Sequence, residues 1–390
     1  MPLEYPNEPE RNTDGLIIRK DKPFNAEPQV NLLVQNYVTP DPLFFHRNHG
    51  PIPDIDVETH CIEIKGQLAK PLELTLKDLR TSFNKHSVMA TLQVRCWCAG
   101  NRRDGLNKVK KTNGVVWGPG AIGNAVYTGC WLRDVLNAAG VTSCPNEIVK
   151  LHAAFESVEQ CEESRNYGSS IPLEKAILVS HALTFDRDEF GDVLLAYEMN
   201  GKPLTRDHGY PVRVVVPGYI GARSVKYLKR IIIQDHESDA YFQQRDYKIL
   251  PFNVDCEEKA CKVWDNFPAI GEYNVQSYVC EPADGLACKS GLCQVRGYAL
   301  SGGGRSIQRV DVSADDGKTW ITADLYQPCS GGARTWAWCL WTAQLHATNK
   351  RIMSRAVDSA GNIQQEYPVW NYRGVMNNSW RTVEESPSHL

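Results

Sequence analysis

The sequence has no uninterrupted apolar run approaching the roughly 20 residues that span a bilayer, so no membrane helix is expected. Its first residues, Met1-Pro2-Leu3-Glu4-Tyr5, lack a basic stretch followed by an apolar one, and a secretory signal is not expected either. Neither sign of charge dominates. A net charge of −3 gives no basic face for nucleic acid and no strong pull toward a membrane surface. Repeats are absent, and the Gly302-Gly303-Gly304 run lacks the spacing and helix of a dinucleotide-binding loop. A disulfide framework is disfavoured, because the 13 cysteines are odd in number and no signal is evident. Most of these thiols are expected to act as small buried hydrophobes in a reducing compartment.

A chain of 390 residues exceeds one ordinary core, so two domains are expected. Residues 1–45 are rich in Pro, Asn and charge and read as an extended arm. Trp131 to Gly140 reads as a short amphipathic helix stopped by Gly140. Val212-Arg213-Val214-Val215-Val216-Pro217-Gly218 is a β-branched run ended by a turn. Helices and strands mix without regular βαβ alternation, which gives an α+β class. The texture changes around 255–275. Beyond it, short strands such as Cys293–Ala299 and Ile307–Ser313 alternate with turns, and Asp316-Gly317 is a strong hairpin signal. These features predict an all-β, immunoglobulin-like sandwich. The boundary is placed so that residues 1–262 form the first domain and 263–390 the second.

Cys96-Trp97-Cys98-Ala99-Gly100-Asn101-Arg102-Arg103 carries the most chemistry. A thiolate beside two arginines suits a sulfur-accepting metal next to an anion site, since nearby cations lower the thiol pKa. The plain alternative is two buried cysteines beside a surface arginine pair. Zinc fits poorly, because Cys96-x-Cys98 is not the usual spacing and no second pair is evident. Arg47-Asn48-His49-Gly50-Pro51 and Arg206 to Arg213 each place His and Arg beside a Gly or Pro turn. Such segments grip phosphate-like groups, although a lone His-Gly turn is more often structural.

Taken in order, these stretches resemble the eukaryotic sulfite oxidase family. Thr91-Leu92-Gln93 with Cys98 to Arg103 is similar to its metal-cysteine segment. Further matches are Arg47 to Pro53, Trp117 to Ala125, Tyr197 to Gly201, Arg206 to Pro217 and Gly221 to Lys226. The resemblance implies a molybdopterin domain followed by an immunoglobulin-like dimerisation domain, and a homodimer. It implies a molybdenum–molybdopterin cofactor with Cys98 as the metal ligand. Asn48, His49, His208, Arg213, Ser224 and Lys226 match cofactor contacts, and Glu159 stands where relatives usually carry Asp. Val94-Arg95-Cys96-Trp97 looks like an insert that puts a second thiol beside the ligand, and Asn113 stands where relatives often carry Lys or Arg.

The substrate implied is sulfite, oxidised to sulfate. Arg47, Arg103, Arg373, Trp117 and Tyr247 match the family's oxyanion pocket, whereas the nitrate-reducing relatives resemble Met and Asn at the positions of Arg373 and Tyr247. Neither a His-Pro-Gly-Gly haem segment nor a dinucleotide-binding Gly-rich turn is present, so neither haem nor flavin is expected. The layout is similar to the haem-free plant type, with dioxygen taking the electrons. A nitrate reductase-like module served by partner donors, and a non-catalytic carrier of the molybdenum cofactor, are the competing readings. Ser388-His389-Leu390 is similar to a peroxisomal address, which implies an import receptor and a peroxisomal rather than cytoplasmic location.

Overall fold

The computed structural model describes residues 3–93, 100–141, 144–161, 166–177, 191–283, 291–329, 334–346 and 351–380. The described strands form five sheets. One sheet has the order Leu72–Thr75, Cys61–Gly66, Leu228–Gln234, His152–Ser157, Gly168–Pro172. Its Cys61–Gly66 and Leu228–Gln234 pair is parallel, and its other pairs are antiparallel. Alternation sets the faces: Ile62 and Ile64 are buried while Glu63 and Lys65 reach outward. A second sheet runs Lys202–Pro203, Leu194–Met199, Ile122–Trp131, His86–Gln93, with Arg213–Val215 also on Leu194–Met199.

Helices are short. Leu76–Thr81 starts on a capping box in which Thr75 and Asp78 satisfy each other's backbone N–H. Leu132–Ala138 is the helix expected there, and Gly140 follows it at φ +69°. No helix among the described residues is long and apolar enough to cross a membrane. The N-terminal stretch differs from the extended arm expected: Leu16–Lys20 and Asn25–Pro28 form a hairpin. Its second strand buries Asn25 and Glu27, polar residues held by hydrogen bonds, so no hydrophobic pattern announces it.

Beyond residue 275 the regular elements among the described residues are all strands. The order Gln276–Glu281, Leu292–Leu300, Cys339–His346, Asp324–Tyr326 forms one sheet, and Ile321–Thr322, Ile307–Ser313, Met353–Asp358 the other. Val295, Val310, Val312, Trp341 and Ala356 fill the space between them. Asp316 and Gly317 both have positive φ, as a tight hairpin turn requires. The sandwich is joined to the rest by buried polar contacts. Asn101 Nδ2 donates to the Tyr298 hydroxyl at 2.7 Å, and the Gln93 and Gln276 amides bond each other. Thr91, on the edge strand His86–Gln93, donates its N–H to the Trp336 carbonyl at 2.9 Å. An otherwise open sheet edge is thereby covered.

Candidate functional site

A cavity of about 570 Å³ opens between the two sheets of the first lobe. Three loops build it. The first carries Phe44, Phe45, Arg47 and His49. It is tied down where Ala26 and His46 exchange backbone hydrogen bonds, and where Glu159 accepts the N–H groups of His49 at 2.7 Å and Gly50 at 3.2 Å. A Cβ on Gly50 would lie 1.8 Å from the Gln160 carbonyl oxygen, so only glycine allows this approach.

The second loop is the turn Arg206–His208 leading into Arg213–Val215. The third is the turn Gly221–Arg223 leading to Lys226. They lock together, since Arg213 donates to the His208 and Ser224 carbonyls, each at 3.0 Å, and Val216 N–H donates to Ser224 Oγ at 3.0 Å. Lys226 Nζ donates to the Arg47 carbonyl at 2.8 Å, the Asp207 carbonyl at 2.8 Å and Asn48 Oδ1 at 2.5 Å. One lysine thus pins the first loop to the second.

Of the expected cofactor-binding residues, His49, Glu159, His208, Arg213, Ser224 and Lys226 line this cavity, and so do Arg47 and Tyr247 from the expected substrate set. Asn48 is different. It is fully buried behind the wall, where Nδ2 donates to the Phe24 carbonyl at 2.9 Å, and it supports Lys226 rather than facing the cavity. Arg103, Trp117 and Arg373 are also buried and are not among the lining residues. Arg103 Nη2 donates to the Arg373 carbonyl at 2.5 Å, so those two arginines do meet. Arg373 pairs with Asp246 at 2.6 Å, and Asp246 directly precedes Tyr247 on the cavity wall. Trp117 Nε1 has no hydrogen-bond partner among the described residues. Asn113 Nδ2 donates to the Tyr372 hydroxyl at 3.1 Å, next to Arg373. Cys98 with the Val94–Trp97 insert, and Ser388-His389-Leu390, lie outside the described residues.

Charge in the cavity is graded. Burial is the largest influence on Lys226 and lowers its pKa to about 8. It lowers His49 to about 3 and His208 well below the usual imidazole value, so both are neutral at pH 7. Burial pushes the Glu159 carboxyl up, but hydrogen bonds from the His49 segment and the field of Lys226 outweigh it and keep Glu159 ionised. Asp207 is likewise ionised, because Arg11 grips both of its oxygens at 2.9 to 3.1 Å. The arm from Glu8 to Arg11 therefore lies across this corner. Both carboxylates are compensated, which leaves Arg47, Arg213 and Lys226 as a net positive lining.

Sequence reasoning missed Asp207, Arg11, Phe44 and Tyr167. Asp207 lay inside a quoted motif, but its partner is 196 residues away and no local pattern marks the pair. His208 Nε2 and Arg213 Nε are buried and without partners among the described residues. Unmet polar atoms beside cations fit a large group rich in anionic oxygen and hydrogen-bonding nitrogen, as a pterin phosphate is. The donor set therefore fits such a cofactor. Among the described residues no cluster of three His, Cys, Asp or Glu side chains is placed to hold a metal.

Comparison with known proteins agrees. Residues 49–242 match the oxidoreductase molybdopterin binding domain, and residues 267–386 match the Mo-co oxidoreductase dimerisation domain. The chain is 42% identical to sulfite oxidase of Arabidopsis thaliana, over 98% of this chain and 96% of that one. It is 42% identical to mitochondrial sulfite oxidase of Rattus norvegicus, over 98% of this chain and 68% of the relative. Nitrate reductase [NAD(P)H] of Hordeum vulgare is 38% identical over 93% of this chain and 41% of its own. Sulfane dehydrogenase SoxCD of Paracoccus pantotrophus has the same fold, with a TM-score of 0.71 at 25% identity over 96% of this chain and 86% of that one.

Fold and site together define a molybdenum-dependent oxidoreductase with a molybdopterin-binding lobe followed by a dimerisation domain. Within that class the chain belongs to the sulfite oxidase family.

Proposed function

We propose that this protein oxidises sulfite to sulfate, as a homodimer, with dioxygen as electron acceptor. The observation that carries the reading is the coupling of Tyr247 to the arginines. Tyr247 stands on the cation-lined cavity, its neighbour Asp246 holds Arg373 at 2.6 Å, and Arg373 in turn accepts from Arg103. Cations from both lobes thus meet behind the cavity wall at Tyr247, which suits a compact dianion.

His49, His208, Arg213, Ser224 and Lys226 are the residues to hold the pterin and its phosphate, with Asn48 and Glu159 fixing their positions. Cys98 is the residue to hold the metal. Bound there, the cofactor supplies two-electron oxygen-atom transfer. The chain supplies the rest. Arg47, Arg103 and Arg373 draw the anion from water and orient its sulfur lone pair, while Tyr247 and Trp117 position its oxygens. Sulfite gains an oxygen that originates in water and gives up two electrons, and that water releases two protons. Dioxygen takes up both as hydrogen peroxide.

The test is to load the purified protein with molybdenum cofactor and assay sulfite-dependent peroxide release and sulfate formation. Nitrate reduction by a viologen donor is measured beside it. Equal amounts of peroxide and sulfate are expected. Sulfate formed only with an added haem acceptor would remove dioxygen from the proposal, and nitrate reduction without sulfite oxidation would overturn it.

A further inference from the structure

Arg223 closes the Gly221–Arg223 turn and is 2% exposed. A buried guanidinium usually faces a carboxylate, because an uncompensated charge in a low-dielectric interior is costly. Arg373 follows that pattern with Asp246, and Arg11 with Asp207. Arg223 does not. Its Nε and Nη2 donate to the Ile270 carbonyl at 3.0 and 2.8 Å, and its Nη1 donates to Ser169 Oγ at 2.7 Å and to Gln243 Oε1. All of these acceptors are neutral. Glu237 influences it through space, and no described carboxylate is within ion-pair distance. A guanidinium stays protonated at neutral pH even when buried. It lies over Tyr247, 5.4 Å from the ring centroid, and Tyr247 lines the cavity.

We propose that Arg223 is a positioning residue that fixes the Tyr247 ring and supplies an uncompensated positive charge, from behind that ring, to the oxyanion subsite. The proposal rests on the reading of this subsite as one for a sulfur oxyanion. A cation held by dipoles keeps its full monopole field. A cation paired with a carboxylate presents only a dipole, whose field falls off faster. Arg223, unlike Arg373, is held by neutral acceptors, so no paired carboxylate cancels its charge at the subsite. Its contact with the ring face also fixes the orientation of the phenol.

Gln243 makes the idea separable from folding. Its Oε1 accepts from Arg223, from Ser169 Oγ at 3.0 Å and from Ser170 N–H at 3.0 Å. A carboxylate oxygen accepts all three equally well. Gln243→Glu therefore neutralises Arg223 in place, with every donor still satisfied.

The experiment compares cofactor-loaded wild type, Gln243→Glu, Arg223→Lys and Arg223→Met. It reads KM for sulfite, kcat, competitive inhibition by sulfate, molybdenum content and thermal midpoint. Gln243→Glu is expected to keep its metal and its thermal midpoint while KM and the sulfate inhibition constant both rise about tenfold. Arg223→Lys, which retains charge, should recover most of the sulfate affinity that Arg223→Met loses. A Gln243→Glu protein with full metal and unchanged constants overturns the role of Arg223, and this variant decides the matter if both Arg223 substitutions fail to fold. A wild-type holoprotein that neither turns over sulfite nor is inhibited by sulfate overturns the reading of the subsite, and this proposal with it.

Discussion

Acid should unfold this protein through three imidazoles, His49 and His208 on the cavity wall and His46 buried against His208. Burial, the largest cause in each case, lowers His46 to about 4, His49 to about 3 and His208 well below the usual value. Each is neutral in the fold and takes up a proton near pH 6.5 once unfolded. The unfolded chain therefore binds more protons below that pH. The stability is present above about pH 6.5 and is lost as pH falls toward the folded values. Between about pH 7.5 and pH 5 each histidine costs about 2 kcal/mol, and together they cost about 6 kcal/mol, with a slope near pH 5 of about 4 kcal/mol per pH unit. That is comparable with the whole stability of an ordinary domain. His60 and His152 are shifted the same way and add to it, whereas exposed His236, raised by its hydrogen bond to Asp235, acts in the opposite sense. The assay is urea unfolding of the cofactor-free protein at steps through this window, repeated on His46→Gln and His208→Gln. Each substitution should remove about a third of the loss, that is about 2 kcal/mol. The cofactor-loaded protein should lose less, because an anion beside these rings raises their folded pKa values. A stability that changes by less than about 2 kcal/mol across the window would refute the assignment of neutral buried imidazoles.

Arg373→Met should raise KM for sulfite about 10- to 150-fold, as loss of a charge-assisted hydrogen bond implies. It should also lower stability by about 3–5 kcal/mol by taking a buried ion-pair partner from Asp246, and Asp246→Asn in the same chain should restore stability but not KM, as chemical denaturation and steady-state kinetics would show. Cys98→Ser should leave the pterin bound while abolishing turnover, and Cys96→Ser should keep most activity; reversed effects would move the metal ligand to Cys96. Gly50→Ala forces a Cβ against the Gln160 carbonyl, so the His49 N–H to Glu159 bond should break, with faster loss of pterin fluorescence from the protein on dialysis.

Much of the site was legible because its chemistry is carried by polar residues in short segments. His208 and Arg213 lie within one turn and strand, and Ser224 and Lys226 follow the next turn. Their spacing in sequence is close to their spacing in space. The sandwich was legible for a similar reason: Cys339–His346 alternates buried with partly exposed residues along its length. What sequence did not reveal depends on distant partners. The N-terminal hairpin is held by Asn25 and Glu27, whose hydrogen bonds reach Pro23, Asn48 and Gly118, so its pattern looks like a polar arm. Arg223 stood inside a quoted motif, yet its meaning depends on Gln243 and Ile270, which no local spacing connects to it.

The same distinction explains how one cavity can serve a phosphate-bearing cofactor and a small dianion. A pocket whose carboxylates were free would repel both. Here Asp207 is occupied by Arg11, and Glu159 by two backbone N–H groups and the field of Lys226. Arg213, by contrast, is held by carbonyls alone, and burial lowers its pKa without removing its charge. Cations held by neutral acceptors thus stand on both sides of the cavity, Arg213 on the side of the expected pterin contacts and Arg223 behind Tyr247. Each such cation costs stability in the unliganded protein and recovers it when an anion enters. Anion binding should therefore raise the unfolding free energy of this chain more than its net charge of −3 alone would lead one to expect.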